Sequence, residues 1–330
     1  MRFLICGIGS IGQRHYRNLT HLGHEVALLR SRSGATPFIN QFFDAERQAG
    51  RTIRVFYDME DARRQFAPDA ALITNPNALH AETAMAAARA GCHLFIEKPV
   101  AHTLESALAL HGVAARQSLV AMVGYNLRFH PLLARMKELC AQGAIGAAIA
   151  VRAEVGEYIA DWHPWEDYRT TYAPYRSGGG GVVLCFSHDI DYLYWLFGMP
   201  SSIAAVGGKI TPLMGDAEDL VQVLFRFGDL PIASLCMDYW QRPPRRRCEI
   251  IGSDGTLRWD YYSNELIREA RDGTRTRWET PPTFDRNDMF VAEIQQFIRA
   301  VNGEEAPAIS LEQGIDVLRI ATDIKRAIGL

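Results

Sequence analysis

A two-part α/β protein follows from three observations. Short apolar runs alternate with helical stretches over the first 123 residues, a glycine cluster separates the first run from the first helix, and closely spaced strand patterns take over after that point. Residues 1–123 are expected to form a doubly wound parallel sheet, a Rossmann domain. Residues 124–330 are expected to form a C-terminal α+β domain with a large, mostly antiparallel open sheet.

The elements support this in order. Residues 2–6 are apolar, and 11–22 carry helical spacing (Ile11, His15, Leu19, Leu22) that stops at Gly23. A second apolar run covers 25–30. Runs at 53–57, 70–74, 93–96 and 120–123 continue the strand series, with helical stretches at 38–49, 78–90 and 103–117 between them. Residues 132–141 predict a connecting helix and 145–158 a long alternating strand. The runs at 203–207, 220–227, 232–239, 248–251, 256–261 and 266–270 are spaced as neighbouring antiparallel strands, with Gly228-Asp229 and Asp254-Gly255 as turns. Helices recur at 187–197, 288–301 and 311–328, the last opened by a Ser310/Gln313 capping box.

Composition narrows the class. At roughly 150 residues per domain, 330 residues predict two domains. The 48% hydrophobic and 22% charged content excludes a disordered chain. A net charge of -3 gives no global pull toward nucleic acid or an anionic membrane. Cysteines at 6, 92, 140, 185, 236 and 248 form no C-x-x-C pair and no zinc-type cluster, so they read as buried thiols in a reducing compartment, and no metal is expected. No apolar run approaches the ~18 residues of a membrane span. The apolar N-terminus runs into glycines rather than a cleavage site, and a cytoplasmic location is expected.

Gly7-x-Gly9-x-x-Gly12 lies between a strand and a helix. Glycines there allow a tight turn and close backbone approach to a pyrophosphate, and the amides around Ser10 and Ile11 at the helix start supply donors. The second strand ends in Leu29-Arg30-Ser31-Arg32, without the acid that would hold an NAD ribose. Ser31 with Arg30 and Arg32 suits the 2′-phosphate of NADP. NADP is therefore the preferred cofactor and NAD the alternative, which holds if these arginines form only a solvated loop.

Glu97-Lys98-Pro99 follows the fifth apolar run, at the carboxyl edge where ligands bind in such sheets. An ammonium there can hydrogen-bond a substrate oxygen and stabilise a developing alkoxide. With Gly7-x-Gly9-x-x-Gly12, Thr74-Asn75-Pro76-Asn77 plus His80, Gly124-Tyr125-Asn126-x-Arg128-Phe129-His130-Pro131, the glycines at 178–181 and His188-x-x-Asp191, it makes the whole chain resemble the Gfo/Idh/MocA family of glucose–fructose oxidoreductase and inositol dehydrogenase relatives. The resemblance implies hydride transfer between a nicotinamide cofactor and a hydroxyl or carbonyl, commonly of a sugar or cyclitol. It implies cofactor contacts from Thr74, Asn75, Pro76, Asn77, His80, Glu97, Lys98 and Asn126. Arg128 falls where the family meets cofactor or substrate, and the C-terminal sheet is implied as the interface of a homodimer or homotetramer.

One departure matters. The family places a proton-handling Asp four residues before the histidine, where this chain has Leu184, followed by Cys185. Acid–base work is therefore assigned to Lys98 and His188, with Asp189 or Asp191 orienting the histidine.

The loop Asp161-Trp162-His163-Pro164-Trp165-Glu166-Asp167-Tyr168 is aromatic and acidic. Trp162, His163, Trp165 and Tyr168, with Asp189, suit a sugar pocket, although the same composition serves a packed loop or an interface. The basic run Arg242-Pro243-Pro244-Arg245-Arg246-Arg247 reads either as a phosphate contact or as a solvated hairpin tip. Nothing adds the stacking surface of a nucleic-acid binder. A non-catalytic dinucleotide-binding regulator and a reductase of a non-sugar carbonyl are the alternative functions.

Overall fold

Strands and helices alternate along the first 124 residues of the computed structural model, which describes residues 1–32 and 36–330. They run β1 (Arg2–Cys6), α1 (Ser10–His21), β2 (Glu25–Leu29), α2 (Pro37–Gln48), β3 (Arg54–Phe56) and α3 (Met59–Gln65). Then come β4 (Ala70–Ile73), α4 (His80–Arg89), β5 (His93–Glu97), α5 (Leu104–Arg116) and β6 (Ala121–Gly124). The six strands form one parallel sheet in the order β3-β2-β1-β4-β5-β6. Strands β4 and β6 are buried at every residue, as expected of a sheet covered on both faces. Helix starts are set by local chemistry. Thr36 accepts from the Ile39 amide ahead of Pro37, Asp58 from Glu60 and Asp61, and Thr103 from Ser106. The Asp58 cap accounts for α3, which is too short and too charged to stand out in the sequence.

Register brings the strand ends level. Cys6 pairs with both Leu29 and Ile73, and Ile73 with Ile96. The loops after β1, β2, β4 and β5 therefore leave the sheet along one carboxyl edge, and the strand order reverses direction between β1 and β4.

Two compact units emerge: residues 1–124 with 290–315, and residues 125–289 with 316–330. The sequence reading placed all of 124–330 in one domain, whereas 290–315 clusters with the first unit. This segment includes most of α9 (Arg286–Val301) and the start of α10 (Leu311–Ala327). It covers the outer edge of β6: the Val123 amide donates to the Ile309 carbonyl at 3.0 Å, and Met122 bridges Ser310. Ser310 accepts from the Gln313 amide, the cap expected for α10.

The second unit contains α6 (Pro131–Ala141), β7 (Ala148–Gly156), α7 (Val182–Cys185), α8 (Ser187–Phe197), β8 (Ser202–Gly208), β9 (Leu220–Arg226) and β10 (Ile232–Asp238). It continues with β11 (Arg245–Gly252), β12 (Gly255–Asp260), β13 (Glu265–Ala270) and β14 (Arg275–Glu279). Their eight-stranded sheet has the order β14-β13-β12-β11-β7-β10-β9-β8 and is antiparallel except where β7 lies parallel to β10. Strand β9 alternates buried Val221, Val223 and Phe225 with exposed Gln222, Leu224 and Arg226, so one face is packed and the other open. Strand β14 went unread because charges hide its pattern; its Trp278 pairs with Leu266. Cys6, Cys92, Cys185 and Cys248 are buried. No helix of the described residues is long and apolar enough to cross a membrane.

Gly314 presses on β6: a Cβ there would lie 2.5 Å from Val123 Cγ2. Gly314→Ala gains about 1 kcal/mol of helix propensity but forces repacking that costs about 1–3 kcal/mol. A net loss of stability is expected by urea unfolding, and a gain would show that the contact is soft.

Candidate functional site

In the first unit, the loops on the carboxyl edge are locked together by their own atoms. Gly7 has φ +110°, and a Cβ there would meet the Asn75 amide nitrogen at 2.7 Å. A Cβ on Gly12 would lie 2.2 Å from the Gly7 carbonyl oxygen. Both positions are glycine because the protein itself fills the space. Gly9 differs. It takes extended backbone, φ −69° and ψ −168°, that any residue adopts, and a Cβ there would meet no protein atom within 4 Å. The open space sits at the N-terminus of α1, whose first turn carries no acid. That is where a dinucleotide pyrophosphate would need close backbone approach and helix-end amides, from Ser10 and Ile11 onward, so these residues fit the cofactor.

Thr74 Oγ1 donates to the Gly7 carbonyl at 2.9 Å, joining the β4 loop to the glycine loop. The Asn75 side-chain amide donates to Thr83 at 2.7 Å, while its Oδ1 is buried with no hydrogen-bond partner among the described residues, an acceptor that suits a ribose hydroxyl. Pro76 precedes a 3₁₀ turn, Asn77–Leu79, in which Asn77 is buried. His80 was expected to touch cofactor. It is 1% exposed, with Nδ1 2.7 Å from the Pro99 carbonyl and Nε2 2.8 Å from the Asn75 carbonyl. It thus straps the β4 loop to the segment carrying Lys98. Burial lowers the His80 pKa, partly offset by these two carbonyls.

Lys98 follows β5 directly, half-buried, and the Lys98–Pro99 peptide is cis. Glu97 is buried, with Oε1 2.8 Å from His15 Nε2. At the end of β2 the Arg30 guanidinium lies 5.6 Å from the Phe43 ring and that of Arg32 4.7 Å from the Tyr57 ring, while Ser31 is exposed.

In the second unit, two sequence motifs form one block. The Tyr125 and His188 rings meet edge to face at 5.6 Å. Arg128 donates to both oxygens of Asp191, at 3.0 and 2.7 Å, with both residues buried. Asn126 is buried in the intervening 3₁₀ turn, Asn126–Phe129. Asp189 lies 3.2 Å from the Arg246 guanidinium. Each acid considered as an orienter of His188 is thus engaged by an arginine. Burial raises the Asp189 pKa to about 6, against the pull of Arg246. Leu184 and Cys185 are buried in α7, so an apolar side chain packs where the family pattern expects an acid.

The basic run is not a hairpin tip throughout. Residues from Arg245 belong to β11, whose alternation turns Arg246 inward to Asp189 and Glu157, while Arg247 pairs with Asp260 on the open face. Arg242 lies 3.7 Å from the centre of the Tyr158 ring.

The aromatic loop divides. Trp162 packs edge to face on Phe186 and Tyr239. His163 stacks on Trp165, which is 50% exposed, and its Nδ1 lies 2.7 Å from Glu166. The Tyr168 hydroxyl accepts from the Met214 amide at 3.2 Å. A small cavity of about 30 Å³ lined by Trp162, His163 and Tyr168 sits in this loop, room for roughly one water. From the sequence, His15 and Glu293 do not stand out as site residues, and Arg246 stands out only as part of the basic run. The first two were visible as polar breaks in apolar helix stripes, beside Leu19 and beside Phe290, Ile294 and Phe297.

Comparisons with known proteins agree with this geometry. A model of an oxidoreductase family with an NAD-binding Rossmann fold matches residues 1–125, and a model of the GFO/IDH/MocA C-terminal domain matches 133–258. An uncharacterised oxidoreductase of Synechocystis is 33% identical over 278 residues, 74% of this chain and 73% of that protein. The levoglucosan dehydrogenase of Pseudarthrobacter phenanthrenivorans is 28% identical over 242 residues, 63% of this chain; the match spans 61% of that protein's length. A solved levoglucosan dehydrogenase in complex with NADH and levoglucosan shares the fold, with a TM-score of 0.85 at 22% identity over 99% of this chain and 96% of that one.

Two outcomes follow. Gly12→Ala should lower the melting temperature, whereas Gly9→Ala should leave it unchanged and weaken dinucleotide binding roughly tenfold or more; equal effects on both measurements would contradict the division drawn here. Asp189, with a raised folded-state pKa, favours folding below its unfolded value near 4, and that contribution is lost as pH rises to about 6. Asp189→Asn should flatten the slope of unfolding free energy against pH in that window, measured by urea titration.

Proposed function

The chain belongs to the Gfo/Idh/MocA oxidoreductase family, and on that premise we propose that it transfers a hydride between a nicotinamide cofactor and a hydroxyl or carbonyl carbon of a sugar, sugar derivative or cyclitol. The observation that carries this is the level register of β1, β2, β4 and β5, which sets the glycine loop and Lys98 on one sheet edge. When bound, the nicotinamide supplies or accepts the hydride. The α1 amides and the glycine loop hold the pyrophosphate, with Thr74, Asn75, Pro76, Asn77, Glu97 and Asn126 completing the cofactor contacts. Arg30, Ser31 and Arg32 favour NADP over NAD, because each arginine can pair a 2′-phosphate and no acid ends β2.

Lys98 hydrogen-bonds the reacting oxygen and stabilises its negative charge. His188 exchanges the proton, and the buried Leu184 leaves this work to these two side chains. Arg128, Asp189, Trp162, His163, Trp165 and Tyr168 are proposed for the substrate side. Exposure favours Trp165, and Arg128 acts there through its fixed pair with Asp191. The open face of the eight-stranded sheet carries exposed Val206, Leu224 and Ile232, which supports a homodimer or homotetramer through that sheet. A cytoplasmic location suits the buried thiols. Leu184 also favours a second reading, a dinucleotide-binding regulator without turnover.

A fluorescence titration with NADPH and NADH, followed by a sugar and cyclitol panel, tests the scheme. Tighter NADPH binding and turnover that falls at least about 100-fold in Lys98→Ala, with binding retained, are expected. Preferred NADH would remove the role given to Arg30 and Arg32. Binding without turnover across the panel would favour the regulator.

A further inference from the structure

The strand end that carries Lys98 is backed by a buried polar cluster, of which His15 and Glu293 have no part in the chemistry proposed above. His15 from α1, Glu97 from β5 and Glu293 from α9 meet out of water in the first unit, at 0%, 8% and 0% exposure. Beyond the 2.8 Å contact between His15 and Glu97, one nitrogen or oxygen from each of the three lies within 4.8 Å of the others. The surroundings are apolar. The rings of Phe95 and Phe290 stand edge-on to the imidazole at 5.3 and 6.0 Å. On the β6 side Gly124 leaves little room, since a Cβ there would lie 3.1 Å from Phe95 and 3.4 Å from the Glu97 carboxyl carbon. Neither oxygen of Glu293 has a hydrogen-bond partner among the described residues.

Two ionised carboxylates cannot share so small and dry a space, so one keeps its proton. Burial, with the Glu97 charge added, pushes Glu293 well above the carboxylate range and marks it as the neutral partner. A carboxylate at Glu97 in turn requires the proton of His15 on Nε2.

We propose that His15, Glu97 and Glu293 form a buried triad holding a single negative charge, in which His15 Nε2–H donates to the Glu97 carboxylate and Glu293, within 4.8 Å but not hydrogen-bonded to it, stays a neutral acid beside it, making His15 and Glu293 positioning residues for the Glu97–Lys98 strand end. The inference rests on the role given to Lys98 above. Its structural content is separate: one negative charge flanked by an imidazole donor and a neutral acid from two helices fixes the last residue of β5, and therefore the origin of the Lys98 side chain.

Carbon-13 NMR of protein labelled on glutamate carboxyls tests the triad in the full chain. One resonance should stay at the shift of a protonated acid at neutral pH and vanish in Glu293→Gln. Turnover should follow a pattern that simple packing would not give. Glu293→Gln keeps a neutral polar side chain and should hold kcat within about threefold, whereas Glu293→Leu should lose roughly 10- to 100-fold in kcat with dinucleotide affinity unchanged. If Glu293→Leu does not fold, the resonance and the Glu293→Gln kinetics decide. The proposal is overturned if no protonated glutamate appears, if Glu293→Leu turns over normally, or if the wild type holds a stoichiometric divalent metal that Glu293→Gln loses. A wild type that turns over no sugar or cyclitol sinks the enzymatic reading instead, and the resonance still decides the triad.

Discussion

Arg128 and Asp191 stand 63 residues apart and almost wholly out of water, joined by two hydrogen bonds. Neither could be buried alone: removing one partner of such a pair costs about 3–5 kcal/mol, because the other charge is left stranded. The same constraint runs through the molecule. Asp189 is answered by Arg246, and Glu97 by an imidazole and a second acid. In each case a charge that leaves water finds an opposite charge or a proton, and the pairing dictates where a strand end or helix must lie.

In the first unit the pairing is mostly backbone and steric. Gly7 and Gly12 bring chain against chain, Thr74 ties the β4 loop to the glycine loop, and His80 straps that loop to Pro99. The result is a preorganised edge, so little ordering remains when a dinucleotide arrives. In the second unit it is mostly ionic and aromatic, with Tyr125 and Arg128 fixing His188 and Asp191 on α8.

The first unit is legible in the sequence because buried parallel strands read as unbroken apolar runs and because three glycines mark the first turn. Strand β14 is not legible, since Arg275, Arg277 and Glu279 outweigh its single Trp278. The return of 290–315 to the first unit is not legible either: periodicity tells which face of α9 is apolar, not which sheet receives it. At the site, motif matching finds Glu97, Lys98, Arg128, His188 and Asp191 one by one. It does not find that Arg128 belongs to Asp191, or that Arg246 turns inward from a run of arginines that looks solvated. Pairing is a property of three-dimensional register, and a single chain read end to end carries only half of each pair at a time.

The edge of β6 closed by Ile309 and Ser310 bears on how the protein is made. The six strands of the parallel sheet are made before residues 125–289, yet their last edge and Glu293 behind β5 arrive only after that intervening stretch has been made. The dinucleotide domain is therefore not a separable module. A ribosome stalled at residue 124 would present an uncapped strand and an imidazole facing a single carboxylate. The first unit is completed only after residues 125–289 have been made, and transplanting it into another protein requires residues 290–315 as well.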